Sequence, residues 1–192
     1  MKKKVLGVSG SHRHANTDEL VKRALEYCGK KGLETEFIPL ADLEVGYCTD
    51  CGVCRTGFEC SIDDDVFPVL EKMSKADGMI VGSPVYFSSV SGKLKALFDR
   101  TLPLRRNGMM LSGKVGGAVA VGGSRNGGQE FTVRDIQNWM LLQEMTVVGD
   151  VKTAHFGGIV HGRNPGDWEK DGIGLETVDN LAENIVRSLK RS

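Results

Sequence analysis

Four cysteines fall within fourteen residues: Cys48, Cys51, Cys54 and Cys60, in the stretch YCTDCGVCRTGFEC that runs from Tyr47 to Cys60. Their spacing is C-x2-C-x2-C-x5-C. One tight loop can wrap the first three thiolates around a single inorganic centre, and a short extension delivers the fourth. Gly52 and Gly57 permit the sharp turns that such wrapping needs. Four thiolates match the ligand count of a [4Fe–4S] cubane. They also match structural zinc held by four cysteines, although zinc sites more often use two C-x2-C pairs set well apart. Free thiols are the third reading, but burying four of them in so polar a loop has little packing logic. The fifth cysteine, Cys28, lies on the apolar face of a predicted helix and reads as a small core residue.

The chain has 192 residues, which suggests one domain over 1–192 with the cysteine loop inserted at 47–61. Its 25 basic and 25 acidic residues balance, so charge makes no case for nucleic acid or a membrane as partner. The opening MKKKVLGVSG lacks the long apolar run and small-residue cleavage site of a signal peptide. No apolar stretch reaches the ~18 residues of a membrane span. The expected location is the cytoplasm. Thiols stay reduced there, so the cysteine cluster points to metal or redox chemistry rather than disulfides.

Strand and helix patterns alternate along the chain. VLGV, ETEFIPL, GMIVGSP, KVGGAVAVGG and TVVGDVKTAHF read as strands. NTDELVKRALEYCGKKG, DDDVFPVLEKMSKADG, SGKLKALFDRTLPL, GQEFTVRDIQNWMLLQEM and LETVDNLAENIVRSLK read as helices. Five strand–helix units imply an α/β fold with a parallel sheet and helices on both faces. Five strands suggest the flavodoxin-like order 2-1-3-4-5, with ligands at the carboxyl ends of the strands. The stretch HFGGIVHGRNPGDWEKDGIG, residues 155–174, reads as one long irregular loop.

Three strand ends carry ligand-binding character. After the first, GVSGSHRHANT offers Ser9, Ser11, Arg13, Asn16 and Thr17 at the start of a helix. Hydroxyls, backbone N–H groups and a helix N-terminus suit one terminal monophosphate, as on FMN. The plainer alternative is a solvated loop in which Asn16 or Thr17 caps the helix. Asp42, near the end of the second strand, keeps a dinucleotide reading open. After the third strand, Pro84 stops the ladder, and Pro84, Val85, Tyr86, Phe87 and Ser88 can meet a flat ring, unless the aromatics merely cap the core. Lys95, Asp99 and Arg100 are expected on the polar side of the following helix. After the fourth strand, Gly122, Gly123, Ser124, Gly127, Gly128 and Gln129 leave the backbone open to a ligand. His12, His14, His155 and His161 are too scattered in sequence to suggest a triad or metal site. No residue is assigned a catalytic role.

Taken together, GVSGSHRHANT, SPVYFSSVSGKLKALFDR and GGSRNGGQE resemble the NADPH-dependent FMN reductase branch of the flavodoxin-like proteins, to about residue 150. That resemblance assigns the FMN phosphate to Ser9, Ser11, Arg13, Asn16 and Thr17. It assigns the isoalloxazine to Pro84 through Ser88 and to Gly122 through Gln129. The opening C-x2-C-x2-C resembles the bacterial ferredoxin run. Combined with this fold, it resembles a narrower group, the iron–sulfur flavoproteins of anaerobic microbes. The narrower resemblance implies one FMN and one [4Fe–4S] cluster per subunit, a ferredoxin-like electron donor, a small-molecule acceptor and a homodimer or homotetramer. Two other functions stay open. One is a cluster-free NAD(P)H-dependent FMN or quinone reductase with structural zinc, and the other a redox sensor or carrier. In the order 2-1-3-4-5 the cysteine loop lies on the phosphate side of the flavin. A neighbouring subunit is therefore expected to bring its cluster closer to the ring.

Overall fold

Parallel strands covered on both faces need continuous apolar runs, and VLGV, GMIVGSP and VGGAVAVG supply them. The computed structural model describes residues 2–191, so the predicted domain limits, Met1 and Ser192, lie outside it. The strands are β1 (Lys4–Ser9), β2 (Glu34–Pro39), β3 (Gly78–Pro84), β4 (Val115–Gly122), β5 (Thr146–Val147) and β6 (Gly158–His161). The helices are α1 (Asn16–Lys30), α2 (Val66–Lys75), α3 (Gly92–Asp99), α4 (Leu102–Arg106), α5 (Gln129–Leu142) and α6 (Gly172–Arg191). The sheet runs β2-β1-β3-β4-β5, with β6 also paired to β4, and every ladder is parallel. The predicted order holds.

Two cores sandwich the sheet. On one face α1 and α6 bury Leu20, Val21, Leu25, Leu181, Ile185 and Leu189. Cys28 belongs to this core, and burial pushes its thiol up to about 12, so it is inert as a ligand. On the other face α2, α3 and α5 bury Leu70, Met73, Leu94, Leu97, Ile136 and Met140. Gly7 lets α1 ride close on β1: a Cβ there would stand 2.5 Å from Leu25 Cδ1 and 2.7 Å from Val21 Cγ1.

Four expectations need correction. The fifth strand is two short pieces on the free edge of β4: Thr146 and Val147 pair with Val115 and Gly116, and Gly158–His161 pair with Val119–Gly122. Between them Asp150 accepts hydrogen bonds from the N–H and hydroxyl of Thr153, and Ala154 takes φ 58. This local turn chemistry overrides the strand pattern. The stretch 155–174 is therefore not all loop, since it contains β6, a one-turn 3-10 helix (Asp167–Lys170) and the start of α6. The helix expected over SGKLKALFDRTLPL breaks into α3 and α4. Pro103 cannot donate to the preceding turn, and the Thr101 hydroxyl turns back to Phe98 O at 2.6 Å. At that break Arg100 is only 1% exposed, not on the polar side as expected, whereas Lys95 and Asp99 pair with each other at the surface.

Candidate functional site

The sheet places Ser9, Pro84, Gly122 and His161 at one edge, at the ends of β1, β3, β4 and β6. In the β1 loop much of the expected phosphate set is occupied in building the loop itself. Ser9 Oγ donates to the fully buried Asp18 at 2.5 Å. Ser11 Oγ donates to Arg13 O at 2.5 Å. Asn16 Nδ2 donates to Gly162 O (3.1 Å) and Asn164 O (2.9 Å), and its Oδ1 accepts from Gly166 N (3.0 Å). These bonds fasten the β1 loop to the segment after β6. Arg13 stays exposed, and α1 starts with no side-chain cap, which leaves the N–H groups of Asn16 and Thr17 for an anion, while that of Asp18 donates to Ala15 O. Thr17 is buried, its methyl beside Gly82.

His14 is one of the four histidines too scattered in sequence to suggest a site, and its pairing with Asp18 was not read from the sequence, although the two lie four apart at a helix start. His14 Nδ1 stands 2.8 Å from Asp18 Oδ2, and its Nε2 2.7 Å from Asp42 Oδ1. Hydrogen bonds to Asp18 and then Asp42 raise the imidazole pKa. Asp42, the residue that kept a dinucleotide in view, is thus engaged with His14.

After β3, Tyr86 and Ser89 exchange backbone hydrogen bonds of 3.0 and 3.1 Å. The two residues between them, Phe87 (φ 50) and Ser88 (φ 61), are both left-handed, a conformation that L side chains rarely adopt. The turn pushes Phe87 fully into solvent and leaves Tyr86 42% exposed. Both aromatics project from the edge rather than cap the core. The Tyr86 hydroxyl meets the His12 ring, 3.1 Å from Nδ1.

After β4, Gly128 takes φ 108 and lies directly against this turn. A Cβ there would be 2.5 Å from Ser88 Oγ and 2.8 Å from Ser88 Cα. Gln129 folds over Gly122, donating to Ser124 O at 2.7 Å and accepting from Gly127 N at 2.8 Å. The β3 and β4 loops therefore form one interlocked rim. On the expectation that this rim meets the flavin, Gly128→Ala should force the two loops apart and lower bound flavin per chain several-fold. A flavin-to-protein absorbance ratio checks this, and iron content should not change.

The cysteine loop follows β2 on the far side of a one-turn 3-10 helix (Leu40–Asp42). Gly52, at φ 85, opens a second such turn, Val53–Arg55. Cys48, Cys51, Cys54 and Cys60 line one concavity, closed by α4 and the Arg100 guanidinium. All four are free of disulfides. Cys51 Sγ stands 3.0 Å from Ser61 Oγ, and this contact, with the Val53 backbone behind it, lowers the thiol pKa. Arg106 Nη1 donates to Cys54 Sγ at 2.9 Å. Among the described residues no three His, Cys, Asp or Glu groups close on a point fit for one metal ion. A multi-iron cluster distributes its thiolates over several irons and does not require that convergence. Four thiols in one pocket beside two arginines form a donor set that fits an anionic group held by thiolates.

The chain matches the NADPH-dependent FMN reductase family over residues 3–157. It is 52% identical over 189 residues to an iron–sulfur flavoprotein of Methanocaldococcus jannaschii, covering 97% of each chain. It is 45% identical over 188 residues to an iron–sulfur flavoprotein of Methanosarcina thermophila, covering 97% of this chain and 95% of that one. The fold superposes on that of RosB with a bound 8-demethyl-8-formylriboflavin-5′-phosphate intermediate at TM-score 0.75 and 18% identity, covering 98% of this chain and 79% of that one. It superposes on a flavodoxin from the domain Archaea at TM-score 0.65 and 17% identity, covering 97% of this chain and 99% of that one. With its flavodoxin-like sheet, its interlocked strand-end loops and these relatives, the chain belongs to the iron–sulfur flavoproteins of the NADPH-dependent FMN reductase family, which are FMN-dependent electron-transfer oxidoreductases.

Proposed function

We propose that FMN binds across the loops after β1, β3 and β4, and that Cys48, Cys51, Cys54 and Cys60 hold one [4Fe–4S] cluster. The protein then passes electrons from a ferredoxin-like one-electron donor to a small-molecule acceptor. The observation that carries this reading is the gathering of four thiols in one pocket on a chain of this family. When bound, the cluster carries single electrons and FMN handles one or two, which lets a one-electron donor serve a two-electron acceptor.

The chain's own residues bind and orient. Arg13, Thr17 and the first-turn N–H groups of α1 face the phosphate, while Ser9, Ser11 and Asn16 hold that loop in shape. Pro84, Val85, Tyr86, Phe87 and Ser88 flank the ring on one side. Gly122, Gly123, Ser124, Gly127, Gly128 and Gln129 present backbone to its other edge. No side chain acts as nucleophile or general base. The chain works as one domain in the cytoplasm, in a homodimer or homotetramer. The motive for an oligomer is strand order alone: β2, which precedes the cysteine loop, is separated from β4 by β1 and β3, although the loop itself packs back against α4, beyond β3.

Metal and acid-labile sulfide analysis on anaerobically purified protein tests the reading. About four iron and four sulfide per chain, beside one FMN, are expected. The family match to NADPH-dependent FMN reductases supports a second reading, in which NADPH is the donor and the thiols hold zinc. One zinc without sulfide, with FMN turnover on NADPH and none on reduced ferredoxin, would establish that reading instead.

A further inference from the structure

The cysteine loop hangs on a buried ion pair. Arg100 and Asp64 have side chains only 1% and 3% exposed, and they meet through two prongs: Nη1 to Oδ2 at 2.8 Å and Nη2 to Oδ1 at 2.9 Å. Nη1 also donates to Gly46 O at 3.1 Å, and Nη2 to Ile62 O at 3.5 Å. Asp64 in turn accepts from Gly46 N at 2.8 Å and Val66 N at 3.1 Å. Gly46 precedes the first thiol and Ile62 follows the last, so both stems of the loop close on one guanidinium.

A buried ion pair is a poor way to gain stability alone, because an apolar replacement does as well or better. Its position supplies a further reason. Arg100 lines the thiol pocket together with Cys60. Its Nε is buried without a partner among the described residues. Past the break between α3 and α4, Arg106 donates to Cys54 Sγ at 2.9 Å and stands 3.8 Å from Asp50. Two guanidiniums, one at the break and one at the end of α4, thus line the thiol pocket. A centre that gains an electron gains negative charge, and nearby cations and N–H donors favour that state.

We propose that Arg106, through the Cys54 thiolate, and Arg100, through its buried charge in the pocket lining, are positioning residues that raise the reduction potential of the centre held by the four cysteines. The inference rests on the cluster reading above. The buried Arg100 acts through a low-dielectric surround and also fixes the loop, while the partly exposed Arg106 acts through charge and one hydrogen bond.

The test is a potentiometric titration of the anaerobic, FMN-loaded full chain, followed by the low-temperature EPR of the reduced cluster, with iron and sulfide measured on every sample. Arg106→Gln is expected to keep wild-type iron and flavin but to move the cluster potential to more negative values. Arg106→Lys should recover most of that shift, and the flavin potential should stay in place in both. Arg100→Lys keeps a charge but loses the fork, so it is expected to release iron to a chelator several-fold faster than wild type. If Arg100→Lys does not fold, the Arg106 series decides. Full iron content with an unmoved potential in Arg106→Gln would overturn the inference. Wild-type protein without iron and sulfide would instead overturn the cluster reading beneath it.

Discussion

Replacing Cys54 with alanine is expected to leave about a tenth or less of the wild-type iron and sulfide, because losing even an outer-shell partner typically costs 10–100-fold in metal affinity and this change removes a proposed ligand. FMN should stay near one per chain. The separation is expected because Cys54 is not part of either core, and its backbone is held independently. Asn107 Nδ2 donates to Cys54 O at 3.2 Å and to Gly57 O at 3.0 Å, bonds that the substitution does not touch. The proposed flavin rim is built from other segments, the turn at Phe87 and Ser88 and the loop around Gly128. Iron, sulfide and flavin assays on one anaerobic preparation check the result. Iron retained at wild-type levels would exclude Cys54 as a ligand. Flavin lost in step with iron would show that the two sites do not fold independently.

Asp64→Ala is expected to be the most destabilising substitution in the loop. It strands the Arg100 guanidinium in the interior, and removing one partner of a buried pair costs about 3–5 kcal/mol. For a chain of this size that corresponds to a fall in melting temperature of roughly 6–20 °C. The loss should depend on pH. Burial alone would push the Asp64 carboxyl up, but Arg100 and the N–H groups of Gly46 and Val66 outweigh it and hold its pKa below the ordinary value. A carboxyl with a lower pKa in the folded state contributes stability above its unfolded pKa of about 3.9, and that contribution vanishes as pH falls through the folded value. The gap between wild type and Asp64→Ala should therefore be full at pH 7 and shrink below about pH 4. Urea melts of both proteins across that range check it. A gap that stays constant into acid would show that Asp64 acts through packing rather than charge.

Much of this protein was legible in one dimension because the signals are local. Apolar runs such as Met79, Ile80 and Val81 encode a strand buried on both faces, and the spacing of Leu20, Val21, Ala24 and Leu25 encodes a helix face. Their alternation was enough for the parallel sheet and its order. The cysteine spacing announced a shared site, because short steps between thiols and the glycine Gly52 let one tight loop turn them toward one side. Glycines after β4 announced an open backbone, and Tyr86 and Phe87 after Pro84 announced an exposed aromatic edge.

What only the tertiary structure decided depends on partners far away in sequence. Arg100 sits on a helix whose pattern places it with Lys95 and Asp99, yet it is buried, because Asp64, 36 residues earlier, supplies a carboxylate at the right place. Periodicity separates apolar from polar faces, but it cannot show that a charge finds a counter-charge inside. Asn16 was read as a phosphate ligand. The structure ties it to Gly162, 146 residues away, and no helix-start pattern encodes that bond. The fifth strand looked continuous until Asp150 and Thr153 closed a turn across it, a competition settled by hydrogen bonds rather than by β-propensity. The types and spacing of residues along the chain determined the sheet, the thiol cluster and the ligand-bearing edge. Burial, charge pairing and loop-to-loop contact, which exist only once distant segments meet, decided which of those residues stay exposed at the edge and which tie the loops together.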